Sequence, residues 1–372
     1  MRPGPHFWGL ASRPVRAGFA ISSLHGGGAE FVVRRWTAQL LADGHEVRLY
    51  TYDPSEDGAR VPAGAVHRHF PRRGRAARWT AFGTWLRRQA TDDDVDVLVC
   101  LLTFTNVAAL LGRGPTPPIV ISERNVPSTY LPLEGRRGRV ERRLAQLAYR
   151  RADAAIAISH PVAGDLVGGY GLPPERCFVV PNPVTDVPPR PAPAPGSRPL
   201  HLAFAGRLHV QKRPGLFVDV LAELAARGHD VRGSVVGEGP LRAELEAAAR
   251  ARGVELELLG WREPWWEAVA DADCFLLASS VEGFGNVLVE AAAAGLPSVA
   301  VSSALGVADA LVPGLTGELA ATDAPTDLAD AVLRAVAADP DEGATRRWLR
   351  RFSVQESTRV LTSVLEHVRT SR

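Results

Sequence analysis

The feature that most limits what this 372-residue chain can become is a rhythm, in which short β-branched runs alternate with helix-length stretches along most of its length. In the first half the runs are Val15 to Ile21, Glu46 to Thr51, Val95 to Leu101, Ile119 to Ser122, Ala154 to Ile158 and Phe178 to Val180. In the second they are His201 to Ala205, Val231 to Val236, Val254 to Leu259, Cys274 to Ala278 and Pro297 to Val301. Helical stripes lie between them, at Glu30 to Ala42, Pro214 to Ala226, Leu241 to Arg252, Pro264 to Ala270 and Asn286 to Ala294. Strands spaced by helices pair in parallel through crossover connections, so the expected class is α/β. Between the two series, Pro181 to Pro199 holds eight prolines in nineteen residues, the composition of an extended linker. The chain is also too long for one ordinary core. The pattern predicts two doubly wound, Rossmann-like domains facing across a cleft: residues 1–185, a linker at 186–199, residues 200–345, and a C-terminal helix at 346–372 packing back on the first domain. Ligands of such sheets sit at the carboxyl ends of the strands, which puts the expected site in the cleft.

With 46% hydrophobic and 23% charged residues, the composition is that of a folded soluble protein, which argues against disorder or a membrane span. The first thirteen residues lack the apolar stretch of a secretory signal, and Cys100 to Leu111 is too short to cross a bilayer, so a cytoplasmic location is expected. Cys100, Cys177 and Cys274 lie far apart in or beside strand runs and read as reduced core residues. The net charge of +2 conceals an asymmetry. There are 24 basic and 16 acidic side chains up to Val180, against 19 and 25 after it. The basic half would face something anionic, nucleic acid or a membrane surface, unless the excess only reflects a coding preference for arginine.

Four segments carry chemistry. Gly26-Gly27-Gly28-Ala29-Glu30 follows the first strand and opens a helix, where Gly27 and Gly28 would let backbone approach a ligand and helix N–H groups would face an anion. Arg207 leaves the end of the strand at His201 to Ala205, and Lys212, the one lysine among 43 Lys and Arg residues, precedes a proline-started helix. Two cations converging there suit a diphosphate. Gly237, in Val236-Gly237-Glu238-Gly239, makes a third strand-to-helix turn, which geometry alone could also require. The fourth runs from Glu282 through Gly283, Phe284, Gly285, Asn286 and Val287 to Glu290. Its loop and helix start suit a phosphate, and its carboxylates suit sugar and ribose hydroxyls. An exposed Glu290 fits poorly between Val289, Ala291 and Ala292, and a buried carboxylate needs a partner.

Together these residues resemble glycosyltransferase family 4, retaining enzymes of the GT-B fold that use nucleotide-sugar donors. The resemblance covers nearly the whole chain, and the Glu-x7-Glu segment is its most specific part. It implies that Glu282 contacts the donor sugar and Glu290 the ribose, that Arg207 and Lys212 neutralise the departing diphosphate, and that the base is met by backbone near Gly260 and Trp261. It also implies no cofactor and no metal, the nucleotide sugar being a substrate, a UDP-sugar, that gives up a hexose or N-acetylhexosamine. The segment Ser122-Glu123-Arg124-Asn125 replaces a histidine common among relatives, and is similar to a subset acting on lipid-linked oligosaccharides of the cell envelope. Glu123, Arg124 and Asn125 then become candidates for the acceptor side, a helix cap or surface turn being the alternative. Asp309 stands where relatives commonly have glutamate.

The stretch Arg72 to Arg88 mixes six arginines with Trp79, Phe82 and Leu86 at helical spacing, and Arg136 to Arg151 has a similar character around Leu144 and Leu147. Each suits a helix on an anionic membrane, hence a peripheral position on the inner face of the plasma membrane, or an amphipathic helix packed on a sheet. The expected partners are a nucleotide-sugar donor, a lipid-linked saccharide or other hydroxyl acceptor and an anionic membrane surface, with no nucleic acid. A small natural-product acceptor, a sugar-nucleotide epimerase and, from another class, a nucleic-acid-binding protein remain the alternatives.

Overall fold

The computed structural model describes residues 13–53, 60–71, 78–184, 187–188 and 198–371. Within the first part, in chain order, lie β1 (Arg16–Ile21), α1 (Gly28–Ala42), β2 (Glu46–Thr51), β3 (Val66–His69), α2 (Arg78–Asp92), β4 (Val97–Leu101), α3 (Thr103–Leu111), β5 (Ile119–Glu123), α4 (Pro127–Leu133), α5 (Gly135–Ala148), β6 (Ala154–Ala157), α6 (His160–Tyr170) and β7 (Cys177–Val179). The second part holds β8 (Leu200–Ala205), α7 (Pro214–Ala226), β9 (Val231–Val236), α8 (Arg242–Arg252), β10 (Glu255–Gly260), β11 (Cys274–Leu277), α9 (Asn286–Ala293), β12 (Ser298–Val301), β13 (Gly317–Ala320), α10 (Pro325–Ala337), α11 (Glu342–Leu349) and α12 (Val354–Thr370). Both sheets are wholly parallel, ordered β3-β2-β1-β4-β5-β6-β7 and β10-β9-β8-β11-β12-β13. The strand order reverses between β1 and β4 and again between β8 and β11, so each sheet has a switch point where a crevice opens at the strand ends.

Two strands that the pattern does not announce, β3 and β13, sit at sheet edges. Val66-His67-Arg68-His69 is half exposed, so it lacks the apolar signature of a buried parallel strand. The helix expected at Pro264 to Ala270 is reduced to one tight turn, Glu267–Val269. Trp265 is drawn inward against Phe275, with ring centroids 4.9 Å apart, and this fixes the chain direction in a short connection. Most of the proline-rich linker, residues 185–186 and 189–197, lies outside the described residues.

The stretch Arg72 to Arg88 divides between the two readings. Arg72 to Ala77 lies outside the described residues, but the apolar stripe of α2 is buried. Phe82 and Leu86 are fully buried, and Trp79 packs on Phe104 at 4.8 Å. That stripe belongs to an aromatic cluster with Tyr52 and Phe70 under the sheet, which corrects the membrane reading for this apolar face.

The chain's last helix crosses back over the first sheet. Leu361, Val364, Leu365 and Val368 of α12 are buried with Val32, Val33 and Trp36 of α1. The Trp36 indole donates to Ser357 Oγ at 2.8 Å, and that hydroxyl donates to the Pro181 carbonyl at 2.5 Å.

Candidate active site

The segments expected to hold a donor converge above the switch point of the second sheet. Arg207 follows the end of β8, and residues 278–285 follow the end of β11, its neighbour. The two loops are zipped together: Ser280 N donates to the Gln211 carbonyl at 2.9 Å, Gln211 Nε2 to the Val281 carbonyl at 2.6 Å, and Arg213 Nε to the Ala278 carbonyl at 2.7 Å. Lys212 therefore projects from a fixed frame. Its Nζ lies 2.5 Å from Glu282 Oε1, with both side chains largely buried. Its stem runs past Gly206, close to Arg207, while Arg207 itself stays exposed in the cleft.

Glycines make this convergence possible in two specific places. A Cβ on Gly237, whose φ is +150°, would stand 1.9 Å from the Gly206 carbonyl oxygen, so the turns after β8 and β9 can touch only as bare backbone. Gly285, at φ +96°, precedes the first turn of α9 in a left-handed conformation and turns the loop into the helix. Gly260, at φ +71°, closes β10 beside the 58% exposed Trp261.

Glu290 lies one turn into α9, half buried. The Trp265 indole donates to its Oε2 at 2.6 Å. Burial raises its pKa, and the indole bond partly opposes that rise. Phe284 points away from the cleft into a contact with Phe352, so it can offer a ligand its backbone only. Val287 is half buried.

The first domain closes on this loop. Gly283 packs so tightly that a Cβ there would lie 2.3 Å from the Arg124 carbonyl oxygen. Ser159 Oγ donates to the Gly283 carbonyl at 2.6 Å, and both the backbone N–H and Nδ1 of His160 meet Asp309 Oδ2, at 2.7 and 2.8 Å. Asn182 Nδ2 donates to Asn286 Oδ1 at 2.7 Å, and Asn182 in turn accepts from the Arg124 guanidinium. The Gly27-Gly28 turn stands opposite, with Asn286 Nδ2 3.7 Å from where a Gly28 Cβ would be. The anion-binding N–H groups expected at that turn are in part engaged by the chain itself. Glu30 folds its carboxylate back to Gly27, in the manner of a capping box, and its pKa is raised chiefly by burial.

Glu123, Arg124 and Asn125 differ in access. Glu123 is 3% exposed and accepts from Thr103 Oγ1 and Asn106 Nδ2, both at 3.0 Å, and from the Tyr149 hydroxyl. Burial pushes its pKa up to about 7 against the pull of those donors. It lies behind the cleft wall, and neither a surface turn nor direct contact with an acceptor fits that burial. Arg124 is also buried, its guanidinium 5.3 Å from the Trp36 ring, and burial lowers its pKa to about 9. Asn125 is half exposed. Tyr130 of α4, not anticipated from sequence, has its phenol pushed up to about 12 by burial, aided by Glu134 and opposed by the charge of Arg207. Trp265, Ser159, His160 and Asn182 were missed in the same way. Only Asn182, set between two prolines, carries a local signal, and it reads as linker.

Residues 26–187 match the family described as Glycosyltransferase Family 4, and residues 199–338 match Glycosyl transferases group 1. Among curated relatives, the chain is 27% identical over 205 residues to an N-acetylgalactosamine-N,N'-diacetylbacillosaminyl-diphospho-undecaprenol 4-alpha-N-acetylgalactosaminyltransferase of Campylobacter jejuni, covering 54% of this chain and 55% of the relative. It is 28% identical over 174 residues to a lipopolysaccharide 1,6-galactosyltransferase of Salmonella typhimurium, covering 45% of this chain and 48% of the relative. The chain thus spans about half the length of the curated relatives named here. Among solved structures, the lipopolysaccharide outer core galactosyltransferase WaaB superposes with a TM-score of 0.78 at 19% identity, covering 95% of this chain and 99% of that one. Anabaena HepE, solved with UDP and glucose, superposes at 0.73 and 18%, covering 95% and 99%. With two parallel Rossmann-like sheets and family matches on both sides of the linker, the chain belongs to glycosyltransferase family 4 and has the GT-B fold.

Proposed function

We propose that the protein moves a hexose or N-acetylhexosamine from a nucleotide diphosphate donor, a UDP-sugar, to a lipid-linked saccharide, with retention at the anomeric carbon and without a metal. It acts at the cytoplasmic face of a membrane. The observation that carries this reading is the Lys212–Glu282 pair, held 2.5 Å apart on zipped loops beside the exposed Arg207. A donor diphosphate entering above it takes Lys212 and Arg207 as charge partners, which frees the Glu282 carboxylate to accept hydroxyls of the sugar. Glu290, with Oε2 already bonded by Trp265, keeps Oε1 for the ribose. As the glycosidic bond breaks, negative charge grows on the leaving phosphate, where the two cations and the backbone N–H groups at Gly285 and Asn286 stabilise it. On the same face, the departing phosphate takes the proton of the acceptor hydroxyl, so no separate carboxylate base is needed.

The names of the relatives support the acceptor class, since one acts on a diphospho-undecaprenol-linked saccharide and another on lipopolysaccharide. UDP in the HepE structure supports the nucleotide. Thermal shift with UDP, GDP and TDP sugars tests the donor, and a rise in midpoint is expected for UDP sugars. Glu290→Ala should weaken donor affinity, and Glu282→Ala should reduce turnover more than affinity. A flat thermal response to every nucleotide, or wild-type kinetics in both variants, would sink the assignment.

A further inference from the structure

Of the large hydrophobic side chains left exposed among the described residues, three fall on the adjoining helices α4 and α5: Leu133 at 57%, Val140 at 54% and Leu147 at 73%. Helix α5 buries Gly138, Glu141, Ala145 and Ala148, one face at helical spacing. The approach is close, because a Cβ on Gly138 would lie 1.8 Å from the Leu131 carbonyl oxygen of α4. The opposite face reads Arg136, Val140, Arg143, Leu147, so apolar and basic side chains alternate along one outward stripe, with Arg139 beside it. Arg137 is tied to Glu141 at 2.8 Å, but among the described residues Arg136, Arg139 and Arg143 make no ion pair. Their charge is therefore available to a partner.

The geometry points to this stripe as the surface by which the protein sits on an anionic lipid bilayer. Aliphatic tips between unpaired arginines suit the boundary between headgroups and acyl chains, where the tips lose water and the guanidiniums meet lipid phosphates. A nucleic acid would satisfy the arginines yet leave Val140 and Leu147 in water. The stripe also has the right position. Helix α4 starts four residues after β5 ends, just past Arg124 and Asn125, whose backbone lies against Gly283 of the loop before α9, and Leu133 on α4 begins the exposed row. A bilayer under α5 lies at the rim of the cleft, where a lipid-borne acceptor can reach the donor without leaving the membrane. The purpose of the contact rests on the acceptor proposed above, whereas the contact itself can be measured without turnover.

The test is co-sedimentation of the full chain with phosphatidylcholine vesicles, alone and with about one-third phosphatidylglycerol. Wild-type protein should bind the anionic vesicles only. Val140→Ser with Leu147→Ser should lower partitioning about tenfold or more. Arg136→Gln, Arg139→Gln and Arg143→Gln together should lower it by roughly a factor of 100, at about fivefold per arginine. Arg88→Gln, on the exposed side of α2, should bind like wild type, and all variants should keep the wild-type melting temperature and nucleotide response. The proposal is overturned by indifference of the wild type to anionic lipid, by unchanged binding of the Val140/Leu147 variant, or by an equal loss in Arg88→Gln. Equal affinity for duplex DNA that ignores the serine substitutions would assign the stripe to nucleic acid instead. Lost vesicle binding with an intact nucleotide response rejects the docking surface alone, and a missing nucleotide response rejects the donor assignment alone.

Discussion

At the scale of single residues, the cleft is governed by how buried charges are held. Lys212 and Glu282 hold each other, so neither charge is left unpaired in a largely buried place. Glu290 depends on an indole. In the proposed role its carboxylate must be ionised to accept hydroxyls, burial works against that, and the Trp265 N–H works for it. Trp265→Phe keeps the ring against Phe275 but removes the donor. Hydrogen bonds to charged groups contribute about 1.5–3 kcal/mol, so the variant should raise donor KM by at least about tenfold while kcat changes less than about twofold. The acid limb of the KM profile should move to higher pH, because the lost bond lowers the Glu290 pKa in the wild type, and Trp265→His should recover part of the loss. If kcat and melting temperature fall together with KM unchanged, Trp265 is only packing.

At the scale of elements, the loop between β11 and α9 is positioned by backbone contact. Gly283 touches the Arg124 and Asn125 backbone, and neither side can yield as a flexible side chain would. Gly283→Ala should cost about 1–3 kcal/mol of overpacking, lower kcat/KM and leave the circular dichroism of both sheets in place. Gly164→Ala on α6 meets nothing within 4 Å and should have no such effect. A kinetic parity between the two variants would show that the loop tolerates the displacement. Helix α2 teaches the converse lesson about reading elements from pattern. An aromatic stripe beside arginines looks the same in sequence whether it meets lipid or a sheet, and burial of Phe82 and Leu86 decides the case. On α5 the same kind of pattern leaves Leu147 in solvent.

At the scale of the whole molecule, the chain's end supports its beginning. Leu365 on α12 is fully buried with residues of α1, more than 300 positions earlier in the chain. Leu365→Ala should lower stability by about 2–5 kcal/mol, measured as a drop in the denaturant midpoint at unchanged slope. A shift below about 0.5 kcal/mol would mean that α12 is not part of the first domain's core. Across the cleft, Ser159–Gly283, His160–Asp309 and Asn182–Asn286 clasp the two sheets at the mouth of the site.

The alternation of strand and helix runs, the glycines at strand ends and the Glu-x7-Glu spacing are local, so one dimension suffices to read them. They led to two parallel sheets, their linker and the residues proposed for the donor side, Arg207, Lys212, Glu282 and Glu290. Everything that depends on partners distant in sequence waited for the fold. Glu123 turned out to be an interior acceptor for Thr103, Asn106 and Tyr149, Trp265 became the partner of Glu290, and Asn182 became a link between Arg124 and Asn286. Periodicity shows that a side chain belongs to a face. Which surface that face meets depends on contacts between separate elements, from 17 positions apart for Asn106 and Glu123 to 104 for Asn182 and Asn286, and such contacts leave no periodic trace in the chain.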